Sequence, residues 1–154
     1  MLPLALLSLV AAPPPPPAPS PLPPSTPLQN CTIVSSDDGD AVAATNGEGT
    51  LVPIIDEAGT FLVESEAGLR LALQCGLQSG RANIRIPAQT TIFLTSPLEV
   101  VGSLVAEAEL PVISISGGGG AAIDAQGLSS VLDAVRVSLF VRGLRIANGN
   151  RSCV

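Results

Sequence analysis

The stretch Ile84–Leu98, with the sequence IRIPAQTTIFLTSPL, decides the fold prediction. It contains two short runs, the alternating Ile84–Ile86 and the mostly apolar Thr91–Leu94, separated by Pro87 and residues 88–90. Short runs of alternating or apolar residues, bounded by Pro, Gly, Asn or Asp, predict short β-strands. Further runs of this kind follow at Leu98–Val100, Val112–Ser116, Val135–Leu139 and Leu144–Ile146. The second half of the chain is therefore predicted to consist of short strands.

These apolar runs recur at a nearly constant interval. Three series show it: Ile92, Ile113 and Val135; Leu94, Ile115 and Val137; Val101, Ile123 and Arg145. A period of about 22 residues with several short strands per repeat is typical of a solenoid. Leucine-rich repeats need Leu at several fixed positions and an Asn ladder, which this sequence lacks. The pattern therefore favours an all-β parallel β-helix, with Ile, Val and Leu stacked inside.

One helix is predicted ahead of these strands, over Glu66–Gln74, after a short strand at Phe61–Val63. Ser65 can cap the helix, and the first-turn carboxylate of Glu66 suits the helix dipole. One face of the helix is apolar, formed by Leu69, Ala72 and Leu73. Its end is predicted at the glycines Gly76 and Gly80.

The segment Glu64–Leu98 resembles the entry of pectin-lyase-like domains. In that family a short amphipathic helix caps the coils and precedes a segment of the type I-x-I-P-x-x-T-x-x-L-x-x-P-L. The matching positions here are Ile84–Pro87, Thr90 or Thr91, Leu94 and Pro97–Leu98. Ile115–Gly117, Ala122–Ala125 and Gly143–Gly149 are similar to early coils of the polymorphic-outer-membrane-protein-like extracellular branch. The resemblance implies a right-handed parallel β-helix, incomplete here, whose capping helix and first coils occupy residues 61–154.

The N-terminal part of the chain, before Phe61, is predicted to stand outside this domain. Residues 1–12 form an apolar run too short to span a bilayer and of the length of a secretory signal peptide, so the chain is predicted not to be transmembrane. Residues 13–28 hold most of the prolines, which predicts a disordered polyproline II spacer similar to cell-wall glycoprotein stalks. Residues 29–60 are predicted to be a loop-rich entry segment with a short edge strand at Val52–Ile55.

Two N-glycosylation sequons begin at Asn30 and Asn150. Together with the apolar leader and the spacer, they predict a secreted protein, extracellular or at the cell surface. Three cysteines, Cys31, Cys75 and Cys153, form no CxxC motif. In an exported chain, an odd count leaves one thiol unpaired or paired outside this sequence, and free buried cysteines are the alternative.

Composition excludes several chemistries. The chain has no His, so imidazole acid–base catalysis and His metal ligation are absent, and a net charge of −6 argues against nucleic-acid binding. Gly117–Ala122 formally satisfies G-x-G-x-x-A, but a strand-and-turn pattern follows it where a nucleotide site needs a helix. Asp37–Asp40 with Glu48 fails as an EF-hand because Gly39, Ala41 and Val42 occupy required positions. No nucleotide, cofactor or metal is therefore predicted.

Few charged residues remain for a site. Asp124 and Asp133 are the only acids after Glu109, and an Asx turn explains Asp124. Neither has a neighbouring carboxylate in sequence, although facing residues on adjacent coils could pair them, as glycosidases require. The late arginines are Arg136, Arg142, Arg145 and Arg151. They suit either an anionic-glycan groove or, as favoured, a solvated outer face.

The predicted function is an exported structural or carbohydrate-binding β-helix module at a cell surface or wall, with no catalysis of its own. The expected partners are an extracellular polysaccharide or a cell-wall glycoprotein, and further copies bound end to end through the open edge of the β-helix. The alternative is the N-terminal fragment of a polysaccharide lyase or glycoside hydrolase whose catalytic coils lie beyond residue 154. A non-functional truncated gene product is the third hypothesis.

Overall fold

The structure is a computed structural model that describes residues 11–18, 31–35, 42–47, 49–56, 59–102 and 109–150. Of the predicted leader and spacer, residues 11–18 are exposed and have no regular secondary structure. The remaining residues of those two segments lie outside the described ranges.

The described chain contains strands and one helix. In chain order these are β1 (Thr32–Ser35), β2 (Val42–Thr45), β3 (Leu51–Ile54), β4 (Thr60–Leu62), α1 (Glu66–Ser79), β5 (Arg81–Ile86), β6 (Thr91–Phe93), β7 (Leu98–Val101), β8 (Val112–Gly117), β9 (Ala122–Asp124), β10 (Leu132–Val135), β11 (Ser138–Arg142) and β12 (Arg145–Ala147). They form a seven-stranded sheet of order β1-β2-β3-β4-β5-β8-β11, a three-stranded sheet β12-β9-β6 and a two-stranded sheet β10-β7.

The core lies between these sheets and α1, and strand register builds it. From β4 onward the neighbouring strands in all three sheets are parallel. In the large sheet Ile84 lies beside Ile115, and in the small sheet Ile92 lies beside Ile123, each at most 3 % exposed. Because side chains alternate between the two faces of a strand, one face of these strands is aliphatic and buried.

The prediction of a right-handed parallel β-helix is wrong. The seven-stranded sheet is mixed, since β1 pairs with β2, β2 with β3 and β3 with β4 in antiparallel fashion. The physical reason lies in the connections. Those from β2 to β3 and from β3 to β4 are closed by the side chains of Asn46 and Asp56, and they are far shorter than the dozen or so residues that a parallel crossover needs. The described architecture is therefore one mixed sheet, two smaller parallel sheets and one helix, and the N-terminal strands belong to the mixed sheet.

The predicted stacking interval is also wrong. Ile92 belongs to β6 and Ile113 to β8, which lie in different sheets. Ile92 instead stacks with Ile123, and Ile113 with Leu139. Runs of Val and Ile occur on strands of all three sheets and look alike in the sequence. The interval of about 22 residues therefore joined runs that belong to different sheets and do not pair with each other.

Individual elements also differ from the expectation. The helix continues past Gly76 to Ser79 and ends at Gly80, whose φ of 77° gives the left-handed cap. The predicted strand Val135–Leu139 is divided between β10 and β11 by a turn in which Arg136 has a φ of 52°. Residues 29–60, expected to be mostly loop, contain β1 to β3, because hairpin pairing stabilises segments with weak local signals.

Helix α1 is fixed to the sheets by its first turn. Ser65 Oγ accepts a hydrogen bond from Gly68 N at 3.2 Å, as an N-cap does. The Glu66 carboxylate accepts hydrogen bonds from Arg70 and from the backbone N and side chain of Thr95. Arg70 also donates to the backbone carbonyls of Ser96 and Pro97. This cluster, Glu66–Arg70–Thr95, attaches the helix to the turn between β6 and β7.

A second attachment is covalent. Cys31, immediately before β1, forms a disulfide with Cys75 in α1, and the two residues are 44 positions apart. Cys75 is buried, so the disulfide lies against the core. Cys153 lies outside the described residues. Because β1 is an edge strand, the disulfide holds the start of the antiparallel segment on the helix.

We expect the double variant Cys31→Ala/Cys75→Ala to lose about 2 to 4 kcal/mol of unfolding free energy. The disulfide joins residues 44 positions apart, and without it the unfolded chain is no longer closed into a loop and gains conformational entropy. Urea titration followed by circular dichroism measures this loss. Cys153→Ala is the control and should leave the urea midpoint unchanged. Equal midpoints for the double variant and the wild type would contradict the assigned pairing.

We expect the Glu66 carboxylate to stabilise the fold at neutral pH and to lose this effect in acid. Burial alone raises the pKa of Glu66, but hydrogen bonds from Arg70 and Thr95 and the charge of Arg70 outweigh it, and the pKa falls below 4.5. The stabilisation is complete above the unfolded-state pKa and disappears as the pH falls through the lowered folded-state value.

Glu66→Gln should therefore lower the free energy of unfolding by about 1 kcal/mol at pH 7. It should lower it very little at the most acidic pH values of the series. The measurement is the urea midpoint at a series of pH values. Glu64→Gln is the matched control, because Glu64 is exposed and has no hydrogen bond or ion pair among the described residues. A Glu66→Gln deficit that stays constant across the pH range would refute the role of its ionisation.

Candidate functional site

The outward face of the parallel strands β5, β8 and β11 collects the side chains best suited to bind a ligand. We call it the outer face and define it by three rows of residues in register: Arg85, Ser116 and Arg142; Asn83, Ser114 and Phe140; Arg81, Val112 and Ser138. The alternate residues of β5 and β8 point into the core. The packing of the aliphatic face therefore positions the polar face.

The first row places two guanidinium groups on either side of a serine. Arg85 and Arg142 are exposed, and Ser116 lies between them in the register. Since neighbouring strands are about 4.8 Å apart, the two arginine backbones are separated by about 10 Å. The Ser116 hydroxyl donates to Ile84 O at 3.2 Å, which holds it close to the sheet. The two long cationic side chains therefore lie on either side of the short, polar side chain of Ser116.

The second row adds an aromatic ring. Phe140 is 49 % exposed, on the face that also carries Ser114 and Asn83. An exposed Phe on a polar sheet face is unusual, because burying an aromatic ring is strongly favourable. Phe140 and Arg142 are two positions apart on β11, so their side chains leave the same face of the sheet.

The charged side chains of the outer face are all arginines: Arg81, Arg85 and Arg142. Strands β5, β8 and β11 contain no Asp or Glu, although the chain has a net charge of −6. The ion pair between Glu66 and Arg70 belongs to the helix attachment and takes no residue from this face. No residue in the described ranges forms an ion pair or side-chain hydrogen bond with Arg85 or Arg142, so within those ranges their guanidinium donors are available for a planar anion such as a carboxylate.

The acids singled out in the sequence have local structural roles. Asp124 Oδ1 accepts from Gln126 N at 2.9 Å, which is the predicted Asx turn, and Asp124 Oδ2 accepts from Asn148 Nδ2 at 2.8 Å. Asp133 accepts a hydrogen bond from Ser130 Oγ. The two do not pair with each other: Asp124 lies on β9 beside Phe93 and Ala147, and Asp133 lies on β10 beside Glu99. The carboxylates that strand register brings together are therefore Glu99 and Asp133, on a different sheet from the outer face.

The late arginines do not form one cluster. Arg142 lies on the outer face, Arg145 lies on β12 in the three-stranded sheet, and Arg136 lies in the turn before β11. Arg151 lies outside the described residues. The structure instead brings Arg142 to Arg85, which sequence reasoning missed. The alternation of Arg81, Asn83 and Arg85 with core residues was a signal, but using it required the register of β8 and β11.

The glycine run has a packing explanation. Gly118 N donates to Ile86 O at 2.9 Å, and a Cβ on Gly118 would lie 2.6 Å from Ala88 N. The run therefore lets two turns approach closely, and strand β9 follows it where a nucleotide site would need a helix. The acidic Asp37–Asp40 lies outside the described residues. Across the ranges that the structure describes, no group of three His, Cys, Asp or Glu could hold a metal ion.

The two predicted glycosylation sites differ in what the structure shows of them. Asn150 is exposed, and its backbone N donates to Leu128 O at 2.9 Å. Asn30 lies outside the described ranges. A cavity of about 440 Å³ lies between β3, β4 and the N-terminus of α1, and Ser65 in its wall is already committed to the N-cap. Among the described residues, no helix is long and apolar enough to cross a membrane.

The comparisons with known proteins found no match: no family model fits the chain, and no curated protein and no solved structure is similar to it. Nothing in them bears on the resemblance to pectin-lyase-like domains. Function is therefore inferred from the outer face and from the sequence signals at the N-terminus.

Proposed function

We propose that this chain is an exported, non-catalytic module that binds an acidic polysaccharide through its outer face. The observation that carries the proposal is the row Arg85–Ser116–Arg142, in register, with both arginines exposed and without a carboxylate on its strands. An acidic sugar offers a planar carboxylate, and guanidinium donors match that group in a bidentate arrangement. Two arginines about 10 Å apart can reach acidic groups on more than one sugar of a chain.

The exposed ring of Phe140 favours an acidic carbohydrate over a small inorganic anion as the ligand. Sugar rings have an apolar face of C–H groups, and an exposed aromatic ring beside polar side chains can pack against it. Asn83 and Ser114 lie in the same row as Phe140 and provide an amide and a hydroxyl for sugar hydroxyl groups. A small inorganic anion would use the arginines alone and would gain nothing from Phe140.

Three features support export to a cell surface or wall. The first is the apolar leader of residues 1–12 followed by the Pro-rich residues 13–28. The second is the pair of sequons at Asn30 and Asn150. The third is the disulfide between Cys31 and Cys75, because such bonds persist in oxidising compartments such as the extracellular space. The alternative, a fragment of a polysaccharide lyase or glycoside hydrolase, concerns residues beyond 154 and stays a prediction.

We expect the purified chain to bind polygalacturonate, an acidic polysaccharide, and to bind neutral dextran and fully methyl-esterified pectin much more weakly. Arg85→Gln and Arg142→Gln should each weaken polygalacturonate binding about tenfold, because each removes a charged hydrogen-bond donor set. Binding should also weaken as salt is raised, since exposed charges are screened. Isothermal titration calorimetry measures the affinities.

Arg145→Gln is the matched control for this experiment. It removes the same charge from an exposed arginine on β12, away from the outer face, and should leave the affinity unchanged. Phe140→Ala should weaken binding to polygalacturonate without changing its salt dependence. Equal losses for Arg145→Gln and Arg142→Gln would reject the outer face as the site, and equal binding to dextran would reject the preference for acidic sugars.

We expect the chain expressed in a eukaryotic secretory host to appear in the medium as a glycoprotein. An N-glycan endoglycosidase should lower its mass, and Asn30→Gln and Asn150→Gln should each remove part of that shift. Mass spectrometry of the secreted protein measures it. Ser138→Ala, which alters no sequon, is the control. A chain retained in the cytosol without N-glycans would contradict export.

A further inference from the structure

The outer face has short side chains along its middle strand and longer ones on either side. The outward residues of β8 are Val112, Ser114 and Ser116. Most of the residues beside them in register have longer side chains, namely Arg81, Asn83 and Arg85 on β5, and Phe140 and Arg142 on β11. Because neighbouring strands are about 4.8 Å apart, β5 and β11 are separated by about 10 Å. The outer face therefore forms a shallow groove along β8, which we call the β8 groove.

Arginines lie at both ends of the β8 groove. Arg85 and Arg142 flank Ser116 at one end, and Arg81 lies beside Val112 at the other end. Arg81 and Arg85 are four positions apart on β5, so their backbones are separated by about 13 Å. Arg81 is exposed, and its side chain forms no ion pair or hydrogen bond with any residue in the described ranges. Each end of the groove therefore offers guanidinium donors to an acidic group.

The middle of the β8 groove is uncharged. Asn83 and Phe140 lie there on either side of Ser114. The ring of Phe140 is 49 % exposed and Ser114 is half-buried. An amide and a hydroxyl match sugar hydroxyl groups, and an aromatic ring matches the C–H face of a sugar. The groove thus has charged contacts at its ends and contacts for a sugar ring between them.

We propose that an acidic polysaccharide lies lengthwise along β8, with an acidic group bound at each end of the groove and an intervening sugar packed on Phe140. This inference rests on the proposed function and adds Arg81 to its site. Charge complementarity selects the ligand, since β5, β8 and β11 carry three Arg and no Asp or Glu. Because the ends are about 13 Å apart, only a ligand of several linked sugars reaches both. A sugar chain lying across the strands at Ser116 would not reach Arg81.

The first experiment compares digalacturonate with hexagalacturonate by isothermal titration calorimetry. Arg81→Gln should weaken hexagalacturonate binding about tenfold and leave digalacturonate binding unchanged, because the short ligand binds at the pair Arg85 and Arg142 and does not extend to Arg81. Arg85→Gln should weaken the binding of both ligands. Each variant is compared with the wild type for the same ligand, so the additional alignments open to a longer ligand cancel. Arg145→Gln on β12 is the control and should change neither affinity.

The second experiment fills the middle of the groove. Ser114→Leu should weaken hexagalacturonate binding at least about tenfold, because its side chain occupies the space of the central sugar. Ser114→Ala adds no bulk and should have a much smaller effect. Thr91→Leu places the same side chain at an exposed position of the three-stranded sheet and should leave the affinity unchanged. Circular dichroism checks that each variant is folded, and the Arg81→Gln result stands without Ser114→Leu.

These measurements separate a failure of the lengthwise orientation from a failure of the proposed function. Losses with Arg85→Gln and Arg142→Gln but not with Arg81→Gln would show that the outer face binds the ligand and that the orientation is wrong. Equal losses of both ligands with Arg81→Gln would also overturn the two-ended arrangement. If neither Arg85→Gln nor Arg142→Gln weakens binding, the proposed function fails and this inference fails with it.

Discussion

The parallel register between β5, β8 and β11 is the constraint on which the rest of the structure depends. It places Ile84 beside Ile115 in the core, and by the same alternation it places Arg85 beside Ser116 and Arg142 on the outer face. A shift of one residue would bring the arginines inward and the isoleucines outward, at a large free-energy cost. The aliphatic core therefore determines the geometry of the proposed binding row, although no core residue belongs to that row.

The N-terminal strands depend on this register indirectly. β4 is parallel to β5, whereas β1 to β3 reach the sheet through antiparallel pairing. Short strands at the end of a sheet have few buried residues: in β2 only Ala44 is fully buried, and in β3 only Val52. The disulfide from Cys31 to Cys75 compensates, because it joins the outermost strand to a helix that packs on the core.

Local structure was largely predictable from the sequence, and long-range pairing was not. The helix start at Ser65 and its buried face at Leu69, Ala72 and Leu73 follow from capping and periodicity. Most short strands follow from alternation, as at Val112–Gly117. The pairing partners do not follow, because aliphatic runs on different sheets have nearly the same pattern. Arg85 was missed for this reason: its partner Arg142 is distant in the sequence and lies two strands across the sheet.

The outer face also fits a repeating ligand within one copy of the chain. Alternate residues of a strand face the same side, so successive rows across β5, β8 and β11 are about 7 Å apart along the strands. A sugar chain lying along β11 would meet Arg142 and then Phe140, and one lying across the strands would meet Arg142 and Arg85. The second contact with one sugar chain is intramolecular once the first is made. Several individually weak contacts on one sheet face can therefore hold an acidic polysaccharide more tightly than any single contact would.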